Sequence, residues 1–310
     1  MTKNKFFNQT LADQDDLLTA EVIVPDQSLV VIFSLPRGAS TLFQQLVISS
    51  SDIGYISNLV AKFWRAPYIA AQLDLDVRDP DYVSNFKSSY GNVVGAQEPH
   101  EWGWFWQHWL KLGEDETYCK DKNLIDGHGL RQKLGALQSV WQRPLLIDSI
   151  FALANYAILA DIMPNILAVN VKRDSYYVCN SHINARIQRY GDLQEYYGHR
   201  PINIDEILAI EDPIEQIVAQ VKATETENKQ TLDGIEVNHI FQVGYKELVH
   251  QPQRVMDDFV AFLEKENGTK ISVRPLPKLN LEFRDGAEFV NPKFKEKLDK
   301  YYEFYFGTKP

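Results

Sequence analysis

The segment Leu35-Pro36-Arg37-Gly38-Ala39-Ser40-Thr41 follows an unbroken apolar run, SLVVIFSL at 28–35. Its residue types suit an anion. Arg37 brings a permanent cation with a forked set of donors, and Ser40 and Thr41 add hydroxyls. Gly38 lets the backbone come close to a ligand or take a positive φ. A helix starting near Ser40 would aim its first N–H groups, and the positive end of its dipole, at the same point. A plain strand–turn–helix with Ser40 as the capping residue reads the same way. The G-x-x-x-x-G-K-[ST] pattern of a triphosphate loop is absent.

A second basic group lies at Lys172-Arg173-Asp174, at the end of the apolar stretch ILAVNVK (166–172), with Ser181 eight residues after Arg173. An arginine at the carboxyl end of a parallel strand points into the crevice where open α/β sheets bind ligands. A surface ion pair of Arg173 with Asp174 is the bland alternative.

These residues need elements to hold them. The run 28–35 is apolar without alternation and rich in β-branched residues, which predicts a strand buried on both faces of a parallel sheet. Further strands are expected at 144–148, 166–172 and 238–243. Helices fit between them at 150–162, 175–190 and 212–231, with others starting at Ser40 and at Pro252, and a closing one at 293–306. Repeated strand–helix order predicts an α/β fold, a doubly wound parallel sheet flanked by helices. Residues 1–310 read as one such unit, with 1–28 as a peripheral lead-in and 80–140 as an irregular aromatic stretch over the sheet edge. In that stretch Trp102, Trp106 and Trp109 share one helical face and read as core. Trp104 and Phe105 point elsewhere and are expected to wall a pocket.

Composition narrows the class. The chain of 310 residues is 45% hydrophobic and 24% charged, enough for a sizeable core. With 32 Lys and Arg against 42 Asp and Glu, its net charge of -10 disfavours a nucleic-acid partner, which needs a broad basic face. Two cysteines, Cys119 and Cys179, make no disulfide framework or zinc-like spacing. The most apolar long window, 149–163, is too short for a membrane span and carries Asn155 and Asp161. A cytoplasmic protein is the expectation.

Together the motifs resemble those of the sulfotransferase family, which carries P-[RK]-[ST]-G-[ST]-[ST] after its first strand. Pro36-Arg37-Gly38-Ala39-Ser40-Thr41 is similar to it. The family's strand ending in R-D-P, with a serine eight residues after the arginine, resembles Arg173-Asp174-Ser175 and Ser181. Its later [RK]-Y-E-D-L, followed by a proline-containing turn and a helix, resembles Gly244-Tyr245-Lys246-Glu247-Leu248 and His250-Gln251-Pro252. The likeness runs from about residue 28 to 264. Three positions depart from it. Ala39 stands at the family's loop glycine, Gly38 at its Ser/Thr, and Ser175 at the proline. A left-handed alanine costs on the order of 1 kcal/mol, so either Gly38 carries that torsion one residue early or the loop is remodelled and donor affinity falls.

The resemblance implies the sulfotransferase fold and the co-substrate 3′-phosphoadenosine 5′-phosphosulfate (PAPS), with no metal. It implies a small-molecule or peptide-like acceptor carrying a hydroxyl or amine. Gly38, Ala39, Ser40 and Thr41 would hold the 5′ end of the donor, Arg173 and Ser181 its 3′-phosphate. Arg37 takes the place of the family's loop cation and would both bind the donor and stabilise charge in transfer. A general base is needed for the acceptor proton. In Gly95-Ala96-Gln97-Glu98-Pro99-His100, His100 is favoured for its unperturbed pKa; Glu98 is the rival, or orients His100. Two other readings stay open. One is a non-catalytic nucleotide- or anion-binding protein that keeps the fold, and the other a phosphotransferase of unrelated loop type.

Overall fold

A computed structural model describes residues 2–89 and 91–308. Its centre is a five-stranded sheet in the order β2-β5-β1-β6-β7, made of β1 (Leu29–Phe33), β2 (Gly54–Tyr55), β5 (Leu145–Ile147), β6 (Ile166–Lys172) and β7 (Ile240–Gly244). A separate antiparallel pair joins β3 (Ser88–Ser89) to β4 (Asn92–Val93). All pairings within the large sheet are parallel, with Leu29 opposite both Leu145 and Ile166, and Ala168 opposite Ile240.

The unbroken apolar run of β1 has the predicted cause. All five residues are buried, and they alternate between two cores. Leu29, Val31 and Phe33 face a cluster with Phe105, Trp106, Leu134 and Leu137. Val30 and Ile32 face Phe43, Leu46, Val47 and Phe259. Helices therefore cover both faces, as βαβ crossovers require. A third cluster packs the helices Ser175–Tyr190, Pro213–Asp233 and Lys295–Phe306 through Val178, Ile183, Ile217, Val218 and Leu298.

Three sequence expectations change. The helix expected at 150–162 breaks at Asn155, whose side chain accepts from the Cys119 N–H at 2.8 Å and donates to the Thr117 carbonyl at 2.8 Å. The stretch 80–140 is not irregular throughout, because Gly127–Trp141 is a regular helix burying Leu130, Leu134, Leu137 and Trp141. Its three glycines dilute the 3.6-residue pattern; Gly135 is there because Val24 crosses 2.4 Å from where a Cβ would sit. The lead-in is no loose appendage either. It forms a helix, Thr2–Ala20, whose buried Asp15 meets Lys133 Nζ at 2.5 Å. Asn8 donates to the Lys62 carbonyl at 2.9 Å and accepts from the Arg65 N–H at 2.8 Å. Among the described residues no helix is long and apolar enough to cross a membrane.

Candidate functional site

Sheet order places β1 between β5 and β6, so successive crossovers leave β1 on opposite sides and a crevice opens at the strands' carboxyl ends. The crevice holds about 980 Å³. Arg37, Ala39, Ser40, Thr41, Arg173 and Ser181 all line it.

The loop after β1 is strained in a specific way. Arg37 and Ala39 both take left-handed torsions, φ 72° and 81°. Gly38 does not, so it has not absorbed the torsion for Ala39. Its role is spatial. A Cβ at Gly38 would lie 2.3 Å from Ser34 Oγ and 2.6 Å from the Leu35 carbonyl oxygen, and the Gly38 N–H donates to that carbonyl at 2.7 Å.

Ser40 is the first residue of the helix Ser40–Ser50 and not its cap. Ala39 holds the cap position and has no side-chain acceptor to offer. The first intrahelical bond runs from the Phe43 N–H to the Ala39 carbonyl, 3.0 Å. The N–H groups of Ser40, Thr41 and Leu42 precede it at an uncapped, positive helix end. The Ser40 hydroxyl donates to Asp148, the residue that follows β5.

The two basic motifs meet directly. Arg173 Nη1 donates to the Arg37 carbonyl at 2.8 Å, and Arg37 Nε donates to Ser181 Oγ at 3.2 Å. Arg37 also bonds the Tyr197 hydroxyl. Arg173 is held on its other side by Asp285, at 2.8 Å from Nε and 2.7 Å from Nη2, and lies over the Tyr245 ring at 4.6 Å. The tail segment carrying Asp285 closes one wall, since Asn280, Leu281, Glu282 and Arg284 line the crevice. His182 is structural. Its Nε2–H donates to the Pro36 carbonyl at 3.0 Å, and burial drives its pKa down to about 3, so it stays neutral.

The proposed bases are placed differently. Glu98 is fully buried and does not line the crevice. Its carboxylate accepts from the Tyr82 hydroxyl at 2.8 Å, the Ser84 hydroxyl at 2.7 Å and the Asn85 N–H at 2.7 Å. A carboxylate so held ties these segments together and, away from the crevice, is not placed to meet a substrate there. His100 lines a side chamber of about 300 Å³ and not the crevice. Its Nδ1 accepts the Trp102 N–H at 2.8 Å, so the neutral ring carries its proton on Nε2. Burial lowers its pKa, which keeps it neutral. It is a hydrogen-bond donor toward the chamber, with no free lone pair for a proton.

Glu101, not singled out in the sequence, lines both the chamber and the crevice. Its side chain is exposed to solvent, with dense protein around it. That setting raises its pKa, chiefly by desolvation and then by the like charge of Asp148, with Arg37 and Arg189 partly opposing. Asp148 is also raised by burial, against the bond from Ser40. Both new carboxylates had a signal. Asp148 ends the strand expected at 144–148, the position that pointed to Arg173, and Glu101 adjoins His100. Arg189 follows Ser181 by eight residues on the same helix and also lines the crevice. Of the aromatic residues, Phe105 is fully buried in the core and walls nothing, whereas Trp104 is 57% exposed.

No family model matches the chain, and no curated protein is similar to it. Solved structures are. The sulfotransferase STF9 from Mycobacterium avium superposes with a TM-score of 0.54 at 14% identity, over 83% of this chain and 68% of that one. The sulfotransferase STF1 from Mycobacterium tuberculosis H37Rv does so at 0.53 and 14%, over 84% and 72%. The chain has the sulfotransferase fold. At this identity the likeness is one of fold, and it agrees with the doubly wound parallel sheet expected from the strand–helix order. Within the sulfotransferase fold, the loop after β1 and the arginine after β6 sit on neighbouring strands, and the geometry above describes what this chain has put there.

Proposed function

We propose that the protein is a sulfotransferase that moves a sulfuryl group from PAPS to a hydroxyl or amine acceptor. One observation carries this reading: an uncapped helix end, four arginines and two carboxylates of raised pKa converge on one crevice. Cations and open N–H groups suit a polyanionic nucleotide, and a crevice of about 980 Å³ is in the size range of such ligands.

The donor, when bound, supplies an activated sulfuryl group and a phosphate leaving group. The chain does the rest. The N–H groups of Ser40–Leu42, with the Ser40 and Thr41 hydroxyls, hold the 5′ end. Arg173 and Ser181 hold the 3′-phosphate. Arg37 links the two halves of the site, with its side chain on Ser181 and its carbonyl on Arg173, and offsets charge that grows during transfer. Glu101 takes the proton from the acceptor, because a base with a pKa shifted toward neutrality accepts protons well near physiological pH. His100 donates from Nε2 to orient the acceptor.

The test pairs binding with transfer. Calorimetry with adenosine 3′,5′-bisphosphate should show binding, and Arg173→Ala should weaken it at least tenfold while sparing the 5′-monophosphate, since a charge-assisted bond contributes about 1.5–3 kcal/mol. With labelled PAPS, Glu101→Gln should lower turnover by about 10²–10⁴ with nucleotide affinity intact. Failure of wild type to bind the bisphosphate at millimolar concentration would end this reading.

A further inference from the structure

Beside the crevice lies a second hollow of similar size, about 920 Å³, that the reaction as described does not use. Its walls come from the first helix, the Lys62–Arg65 turn, the strip Val93–Ala96, and Trp104. The small chamber of about 300 Å³ lies between it and the crevice and shares wall residues with both. Asn58, His100 and Trp104 line both groove and chamber. Gly91, Asn92 and Glu101 line both chamber and crevice. The three hollows are therefore consecutive, with Glu101 at the inner junction and His100 at the outer one.

The groove's chemistry differs from the crevice's. Its floor is Ala61, Trp64, Val93 and Trp104, and Trp104 and Val94 are 57% and 86% exposed, unusual for such side chains. Among the described residues no carboxylate lines it. The two asparagine amides in its walls are already engaged. Asn58 Nδ2 donates to the Val93 and Gly95 carbonyls at 2.7 and 2.8 Å, and Asn8 bonds the backbone at Lys62 and Arg65. Polar side chains remain in its walls at Gln9, Lys62, Arg65 and His100, and a cationic amine would meet the two cations. An apolar body instead covers Trp64, Val93, Val94 and Trp104, whose removal from water is favourable.

We propose that this groove is the acceptor site and that the acceptor is an elongated apolar alcohol, its body against Trp104 and Val93 and its hydroxyl passed through the chamber to Glu101. The inference rests on the sulfotransferase reading and gives it a substrate class. Trp104 is the specificity residue, acting on affinity for the apolar body and not on the proton.

Octanol, glucose and adenosine 3′,5′-bisphosphate serve as probes on wild type, Trp104→Ala, Trp104→Phe and Val94→Asp. All three substitutions are at exposed positions, and nucleotide binding reports that each variant is folded. Octanol should bind wild type without nucleotide present, and Trp104→Ala and Val94→Asp should each weaken it at least tenfold. Trp104→Phe should restore most of the affinity, and bisphosphate affinity should stay within twofold throughout. In transfer from labelled PAPS, Trp104→Ala should raise KM for octanol and leave kcat within twofold. If wild type binds the nucleotide but octanol binds no better than glucose, or binds independently of Trp104, the groove is not the acceptor site and the sulfotransferase reading stands. If the nucleotide fails to bind, that reading falls and the acceptor assignment with it.

Discussion

Glu101 and Asp148 approach the crevice from different elements, one beside the chamber and one at the end of β5, and each raises the cost of ionising the other. Two carboxylates so placed titrate as a pair. Both are shifted upward by burial, and Arg37 and Arg189 only partly oppose this for Glu101. A base works in its deprotonated form, so the rising limb of the pH–rate profile should lie above the ordinary glutamate range near 4.3. Asp148→Asn removes the like charge while its amide oxygen can still accept from Ser40. Glu101 should then ionise at lower pH, moving the limb toward acid. The Glu101 carboxyl carbon, followed by NMR in both proteins, reports the shift directly; an unmoved or alkaline-shifted titration would remove the coupling. The sequence offered His100 and Glu98 for this role because residue type and neutral-range pKa are visible there. That Nδ1 of one is occupied and the carboxylate of the other is saturated depends on partners at Trp102, Tyr82, Ser84 and Asn85, whose approach no spacing reveals.

At the scale of the element, the loop from Pro36 to Thr41 is a strand end turned into a helix start through two left-handed torsions. Such residues contribute unfavourably, about 1–2 kcal/mol each, and persist when the surroundings over-determine them. Arg37 is pinned through its carbonyl by Arg173, and His182 holds the Pro36 carbonyl. Gly38 and Ala39 then have opposite tolerances. Gly38→Ala would set a methyl 2.6 Å from the fixed Leu35 carbonyl, so the loop must move and bisphosphate affinity should fall at least tenfold. Ala39→Gly relieves the torsion at φ 81°, so affinity should hold within twofold, with a thermal midpoint within a few degrees of wild type as the more flexible unfolded chain offsets the relief. Calorimetry and thermal unfolding of the two variants check this, and a reversed order would assign the glycine a conformational role. The motif spacing located this loop, but the torsions could not be read from it, since the Arg37 carbonyl is held by Arg173 from the end of another strand.

At the scale of the whole molecule, the first helix is clamped on the body by a buried ion pair. Lys133 Nζ lies 2.5 Å from Asp15 and 2.7 Å from Asp16, with only 5% of the lysine side chain exposed. Asp15 also accepts the Ile69 N–H at 2.8 Å, tying in the helix Pro67–Val77. Removing one partner of a buried pair leaves an uncompensated charge and destabilises by about 3–5 kcal/mol. Lys133→Ala should lower the urea midpoint accordingly, and a change under 1 kcal/mol would mean the helix does not contribute to the cooperative unit. The same helix supplies one wall of the apolar groove. That the lead-in at 1–28 holds an ordered helix tied to the body was not legible, because that helix is polar on most positions and its burial is carried by Asn8, Ala12, Asp15 and Thr19 rather than by a stripe of large apolar residues.

Local chemistry carried the reading a long way. A strand buried on both faces must be continuously apolar and helices between strands must alternate with them, so β1, β6 and the turn at 36–41 from strand into helix were legible from residue order. The helix expected at about 175–190 runs Ser175–Tyr190, with Asp174 as its cap and Gly191 at its end. Tertiary structure alone decided what depends on distant partners. Asn155 breaks a helix to satisfy residues 117–119, Asp285 comes from the far end of the chain to hold Arg173, and Glu101 meets Asp148 across the crevice. Each is a contact between segments dozens of residues apart, and its energy comes from desolvation and pairing that exist only once the chain has closed around them.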